Sequence, residues 1–204
     1  MNTLTDSARA DLAFLRELAD DKGQGVARAG FALAVVGLVF GVVELIYWLI
    51  FWGPLAAIWP VAYWLWAAGV VLMTAIILTA NRRLPAATGA ASRAISAAWS
   101  GVGTSMTVAG LALLLAGWRL HDPWFALKTI PIVAFTLYGA AWGVAFAVKR
   151  LAWFAWMGLG CSIAALAAGA SIGSPHQWLV LSLGLFLLVG APGIVIFRAA
   201  RTGG

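Results

Sequence analysis

Charge is what this sequence has least of. Only 10% of its 204 residues are Asp, Glu, Lys or Arg, and 63% are apolar; soluble domains carry roughly a quarter charged and half apolar. A chain with so little to solvate is not a soluble globular protein. Acids are scarcest, seven against 13 basic residues. The basic surplus forms no aromatic-interleaved patch, which excludes nucleic acid as a partner. The lone Cys161 excludes an intrachain disulfide and a Cys-based metal cluster. His121, Asp122 and His176 are donor types that a metal accepts, but nothing in their spacing specifies a site, and they read as solvated loop residues. No Ser-His-Asp set, HExxH, phosphate-cradling glycine loop or paired carboxylates occur. Neither enzyme activity nor a cofactor is therefore expected. A basic segment leading into a short apolar core is also missing, so no signal peptide is expected at the N-terminus.

Long apolar runs are what the sequence has in excess. About 20 such residues cross a bilayer as a helix, and six runs qualify, near residues 29–52, 57–80, 95–118, 124–148, 151–172 and 177–197. The expected fold class is all-α, a six-span transmembrane bundle over residues 28–201. Basic residues sit at the ends of the runs. With a cytosolic N-terminus, all of the 13 Lys and Arg except Arg119 and Lys128 fall on the cytosolic side, a strong positive-inside bias. Six spans return the C-terminus to that side. Size and short loops suggest a bacterial-type inner membrane. The basic boundaries also divide the chain into three hairpins, 28–83, 93–150 and 150–201, of similar length.

Residues 1–27 read as a short cytosolic amphipathic helix. Leu12, Phe14, Leu15 and Leu18 share one arc, with Arg9, Arg16, Glu17 and Asp20 opposite. Helices that lie on anionic lipid are rich in Lys and Arg, whereas this one is net acidic. Residues 1–22 are therefore expected to dock on protein: the chain's own bundle, a sister copy in a homo-oligomer, or a separate partner. Beyond that helix, the bilayer itself is the expected partner.

One residue in the first run stands apart. Glu44 is the only acid inside any span. Gly30, Ala34, Gly37, Gly41, Glu44 and Trp48 recur at steps of three and four, which keeps them on one helix face. The small residues let another helix approach closely, so Glu44 is expected to point into protein rather than lipid. It lies about 12 Å from the end of its run at 1.5 Å per residue. A charged side chain near mid-membrane costs about 2.5–3.5 kcal/mol on an insertion scale, so the neutral carboxyl is favoured unless a cation sits close. Lys128 and Arg119 are the candidate counter-charges. Trp48, one turn beyond, is a candidate aromatic wall for a cationic ligand. At this helix the chain resembles the small multidrug-resistance transporters, which also carry a membrane Glu in their first helix with aromatic neighbours. The resemblance covers Glu44 and its helix; this chain has six spans where that family has four.

Further small-residue stripes occur at Ser92, Ser96, Ser100, Gly103, Thr107 and Gly110, at Gly139-xxx-Gly143, and at Gly158, Cys161 or Ser162, Ala165 and Gly169. All read as close-packing seams. The aromatics Tyr47, Trp48, Trp52, Trp59, Tyr63, Trp64, Trp66, Trp118, Trp124 and Trp178 gather at one end of the spans, where most are expected to form an interfacial belt. Pro192, between Gly190 and Gly193, is expected to disturb the last span. The leading functional expectation is a small-solute or ion transporter or channel with a ligand-binding set of Glu44, Trp48, Lys128 and Arg119. The rival is a non-catalytic membrane subunit or assembly protein that binds a partner through its N-terminal helix.

Overall fold

The computed structural model describes residues 24–84, 89–122 and 124–202, and these form helices and short turns with no strand. The helix expected over residues 1–27, with its docking residues Leu12, Phe14, Leu15 and Leu18, lies outside the described residues as far as residue 23. Six helical segments are long and apolar enough to cross a membrane. The first five are α1 (Gln24–Trp52), α2 (Ala62–Asn81), α3 (Ala90–Leu120), α4 (Phe125–Lys149) and α5 (Ala152–Ala170). The last span joins α6 (His176–Leu185) to α7 (Ala191–Thr202) through a π-helical turn at Phe186–Gly190.

Turn chemistry sets the boundaries. Gly53, at φ 121°, ends α1, and a 3-10 turn over Ala56–Val61 follows. The second span was expected from residue 57, but α2 begins only at Ala62. Proline supplies no N–H to a helix, and Pro54 and Pro60 bracket the stretch that fails to become α-helical. At the far end of α2, the Arg28 guanidinium donates to the carbonyls of Asn81, at 2.9 Å, and Leu84. A cation on the carbonyl end of a helix satisfies groups that have no intrahelical partner.

Around the bundle the neighbours run α2, α1, the last span, α5, α4 and α3, with α3 also touching α1. Contact between α4 and α5 and between α1 and α7 is as extensive as any contact within the three expected hairpins. The fold therefore does not set those hairpins apart. α2 and α3 close no ring, since they barely approach each other.

The tightest contact is between α1 and the last span. A Cβ added to Gly37 would overlap the backbone of Gly190, and one added to Gly193 would overlap the backbone of Ala34. At Gly30 an added Cβ would lie 2.8 Å from Ile196 Cγ2. The glycine face of α1 thus meets the last span at main-chain distance, as the small-residue spacing anticipated. The disturbance expected at Pro192 takes the form of the π turn just before it, where Ala191 N–H donates to the Phe186 carbonyl. Ser182 Oγ bridges the same seam, donating to the Gly41 carbonyl at 2.8 Å. A second seam joins α4 to α5, where a Cβ on Gly139 would sit 3.3 Å from the Gly158 carbonyl oxygen.

Gly37→Ala is expected to destabilise the protein by about 1–3 kcal/mol, because the clash is with backbone that cannot rotate away. Gly143→Ala, where nothing lies within 4 Å of an added Cβ, is expected to leave stability unchanged or slightly raised. Apparent melting temperatures of the two purified variants in the same detergent check the difference; an equal loss in both would refute the seam.

Candidate functional site

The face of α1 that carries the glycines does not carry Glu44 all the way into the seam. Successive residues turn by 100° at 3.6 residues per turn, which sets Glu44 between the glycine face and the arc of Ala29, Leu33, Val36 and Phe40. That arc lines a groove of about 530 Å³, and Glu44 lines it too. The carboxyl is buried, with 1% of its surface exposed, and among the described residues its Oε2 has no hydrogen-bond partner.

The other walls come from α2 (Trp66, Val70, Met73, Ile77), from α3 between Trp99 and Leu114, and from Ile130, Pro131, Ala134 and Tyr138 of α4. Leu185, at the edge of the π turn, lines the groove as well. Among the described residues, Glu44 is the only ionisable acid or base in the lining apart from the Tyr138 phenol. The Thr107 hydroxyl is already engaged, donating to the Gly103 carbonyl at 3.0 Å. An apolar cleft with one buried carboxyl, whose Oε2 lacks a partner among the described residues, matches the general pattern of small-molecule sites, which combine apolar walls with few polar groups.

The expected companions of Glu44 are placed elsewhere. Lys128 is half-buried on α4 but does not line the groove, and no ion pair joins it to Glu44. Its backbone carbonyl accepts a 2.8 Å hydrogen bond from Gln177 Nε2, which ties α4 to the last span. Arg119 is exposed at the end of α3, its guanidinium 5.7 Å from the Trp118 ring centre. Trp48 stacks on Trp52 with ring centres 5.8 Å apart and does not line the groove. Phe40 and Trp66, whose rings are 5.8 Å apart, supply aromatic wall instead. Trp48 contributes a buried Nε1 with no hydrogen-bond partner.

Two other expectations change. Gly103, Thr107 and Gly110 line the groove, so the later half of the stripe on α3 borders a space rather than a helix seam, while Ser92 at its start is buried. The aromatics divide. Trp64 and Trp118 are exposed and suit an interfacial belt, but Tyr47 and Trp178 are buried. These two pack with Phe51 and Trp124 in one cluster, with Phe51 stacked on Trp178 at 5.4 Å and Tyr47 set edge-on to Trp124 at 6.2 Å. The Tyr47 hydroxyl donates to the Ala62 carbonyl at 2.8 Å, pinning the start of α2 to α1 one turn from Glu44. These polar ties were missed from the sequence. Ser182 and Gln177, polar residues in an apolar run, were the available signal. His176 rests against Trp52 at 5.2 Å, and Asp122 Oδ1 accepts a hydrogen bond from Trp124 N–H at 2.9 Å. No three His, Cys, Asp or Glu side chains among the described residues are grouped to hold a metal ion.

Set against known protein families, curated proteins and solved structures, the chain matches none.

A buried carboxyl oxygen without a partner costs stability, about 1–3 kcal/mol for an unsatisfied polar group. Glu44→Met, similar in length and apolar, is therefore expected to raise the apparent melting temperature. Tyr47→Phe is expected to lower it, through loss of a hydrogen bond worth about 1 kcal/mol. Thermal denaturation of both variants checks the pair; a strongly destabilised Glu44→Met would show that the carboxyl holds the fold together.

Proposed function

We propose that this integral membrane protein is a small transporter in which the Glu44 carboxyl exchanges a proton for the donor or cationic group of a solute in the groove. Its termini face the cytosol across a bacterial-type inner membrane. The observation that carries this reading is the single orphaned, buried carboxyl oxygen on the wall of an apolar groove. Ionisable residues inside membranes are costly, and they commonly mark proton or substrate pathways. A lone carboxyl supports competition between proton and ligand rather than a relay, because among the described residues no second acid lines the groove to receive the proton. Lys128 and Arg119 take no part in this scheme, and neither does Trp48. Charge balance at Glu44 comes from the proton or the solute.

The orientation rests on the positive-inside distribution of Arg82, Arg83, Arg93, Lys149, Arg150, Arg198 and Arg201. The path across the membrane requires the groove to be reached from each side in turn, and the π turn follows directly on Leu185, the residue of the last span that lines the groove.

In proteoliposomes holding a pH-sensitive dye, wild-type protein is expected to make flux depend on the imposed pH difference. Glu44→Gln is expected to reduce that flux to the level of empty liposomes while keeping its helical circular dichroism. Unchanged flux in a folded Glu44→Gln protein would reject transport through this carboxyl and favour the subunit or scaffold reading.

A further inference from the structure

The groove has a shape as well as a chemistry. On α1 its lining runs from Ala29 to Glu44, and on α3 from Trp99 to Leu114, each about 22 Å at 1.5 Å per residue. Along that length the walls are apolar side chains of α1, α2, α3 and α4, with Glu44 toward one end, an elongated space that suits an extended hydrocarbon chain. The groove also lies where the bundle fails to close, between α2 and α3, which barely approach each other. These are the least buried spans, with only 6% of α2 and 17% of α3 buried in their membrane windows. A ligand dissolved in the bilayer thus meets the groove side-on, without first crossing water.

Glu44 is the last residue that α1 contributes at the Trp52 end of this groove, and its Oε2 lacks a partner. We infer that the groove binds a single-chain amphiphile that enters from the bilayer between α2 and α3, its hydrogen-bond-donating head on Glu44 and its tail running toward Ala29 and Trp99. The assignment rests on Glu44 being a binding carboxyl, as proposed above, and deepens that reading by naming the class of ligand. The head must donate, because the carboxyl supplies the acceptor. A primary amine satisfies this as a cation, with charge complementarity to an ionised Glu44.

The probe is hexadecylamine carrying a diazirine in its chain, photolysed with the purified protein in nanodiscs and mapped by peptide mass spectrometry. Saturable adducts on the groove-lining peptides of α2 and α3 are expected. Unlabelled hexadecylamine should compete and hexadecane should not. Loss of a charge-assisted hydrogen bond in Glu44→Gln should weaken apparent affinity about tenfold or more. Gly103→Phe fills the groove from α3, where an added Cβ meets nothing within 4 Å, and should abolish the saturable adducts. Gly101→Phe has equal room but lies off the groove, and should leave them unchanged. Adducts that do not saturate, that spread over all lipid-facing helices, or that ignore both Glu44→Gln and Gly103→Phe would overturn the assignment. A Gly103→Phe protein that instead dissociates an oligomer would give the groove to a second copy of the chain. Saturable labelling with Glu44-independent flux keeps the amphiphile site and removes the transport reading; Glu44-dependent flux without saturable labelling removes the amphiphile.

Discussion

Main-chain contact between α1 and the last span is the constraint on which the rest depends. Gly37 against Gly190 and Gly193 against Ala34 leave no room for a single methyl group. Contact that close fixes the rotation of α1 about its own axis, because a turn of one residue would push side chains into backbone. Once the rotation is fixed, the placement of Glu44 follows. It cannot enter the seam, where no space exists, and it cannot reach lipid, since the groove arc intervenes. It comes to rest at the edge between them, buried and facing the space beside α2 and α3. Lipid tails are as apolar as leucine, so helices in a bilayer are held by such packing and by hydrogen bonds. Ser182 on the Gly41 carbonyl and Tyr47 on the Ala62 carbonyl add the polar part on either side of Glu44.

The groove is the counterpart of that close packing. Where the glycines bring α1 and the last span together, and Gly139 and Gly158 bring α4 and α5 together, the helices consume their small residues on one another. Three small residues of α3 meet no helix at that distance. Gly103, Thr107 and Gly110 face a space, and their lack of bulk is what leaves it wide enough for a hydrocarbon chain. One type of residue thus has two effects, decided by whether a second helix arrives. Glu44 stands where the two regimes meet, which makes an otherwise costly residue available to a ligand.

The spans and the glycine seam of α1 were legible because hydrophobic length and three-four spacing are local properties, whereas Gly143 and Gly169, with the same look, have nothing within 4 Å of an added Cβ. The late start of α2 was less so: residues 57–61 are apolar enough to span, and only the prolines at 54 and 60 argue for a turn. Which helix meets which face is not local at all. The stripe on α3 has the spacing of a packing seam, and nothing within it reports that α2 stays away. Trp178 and Trp64 are alike in sequence context, yet one lies in the core and the other is exposed, because helices converge around Tyr47 and not around Trp64. Glu44 was identified by its chemistry alone, since an acid in an apolar run stands out in any fold. Its companions were chosen by position along the membrane, a one-dimensional criterion, and none of Trp48, Lys128 and Arg119 lines the groove. Phe40, Trp66 and Leu185 were available in the sequence only as three more apolar residues.

The central claim is that the Glu44 carboxyl is enclosed by protein yet reachable from the hydrocarbon phase. Labelling with a membrane-soluble carbodiimide, which adds to protonated carboxyls, followed by mass spectrometry of the peptides, measures this directly. In liposomes, stable modification is expected at Glu44, well ahead of Asp122 outside the spans. A Glu44 that stays unmodified under conditions that label carboxyls elsewhere in the chain would mean a sealed side chain, and the account of the groove as a ligand site would fail.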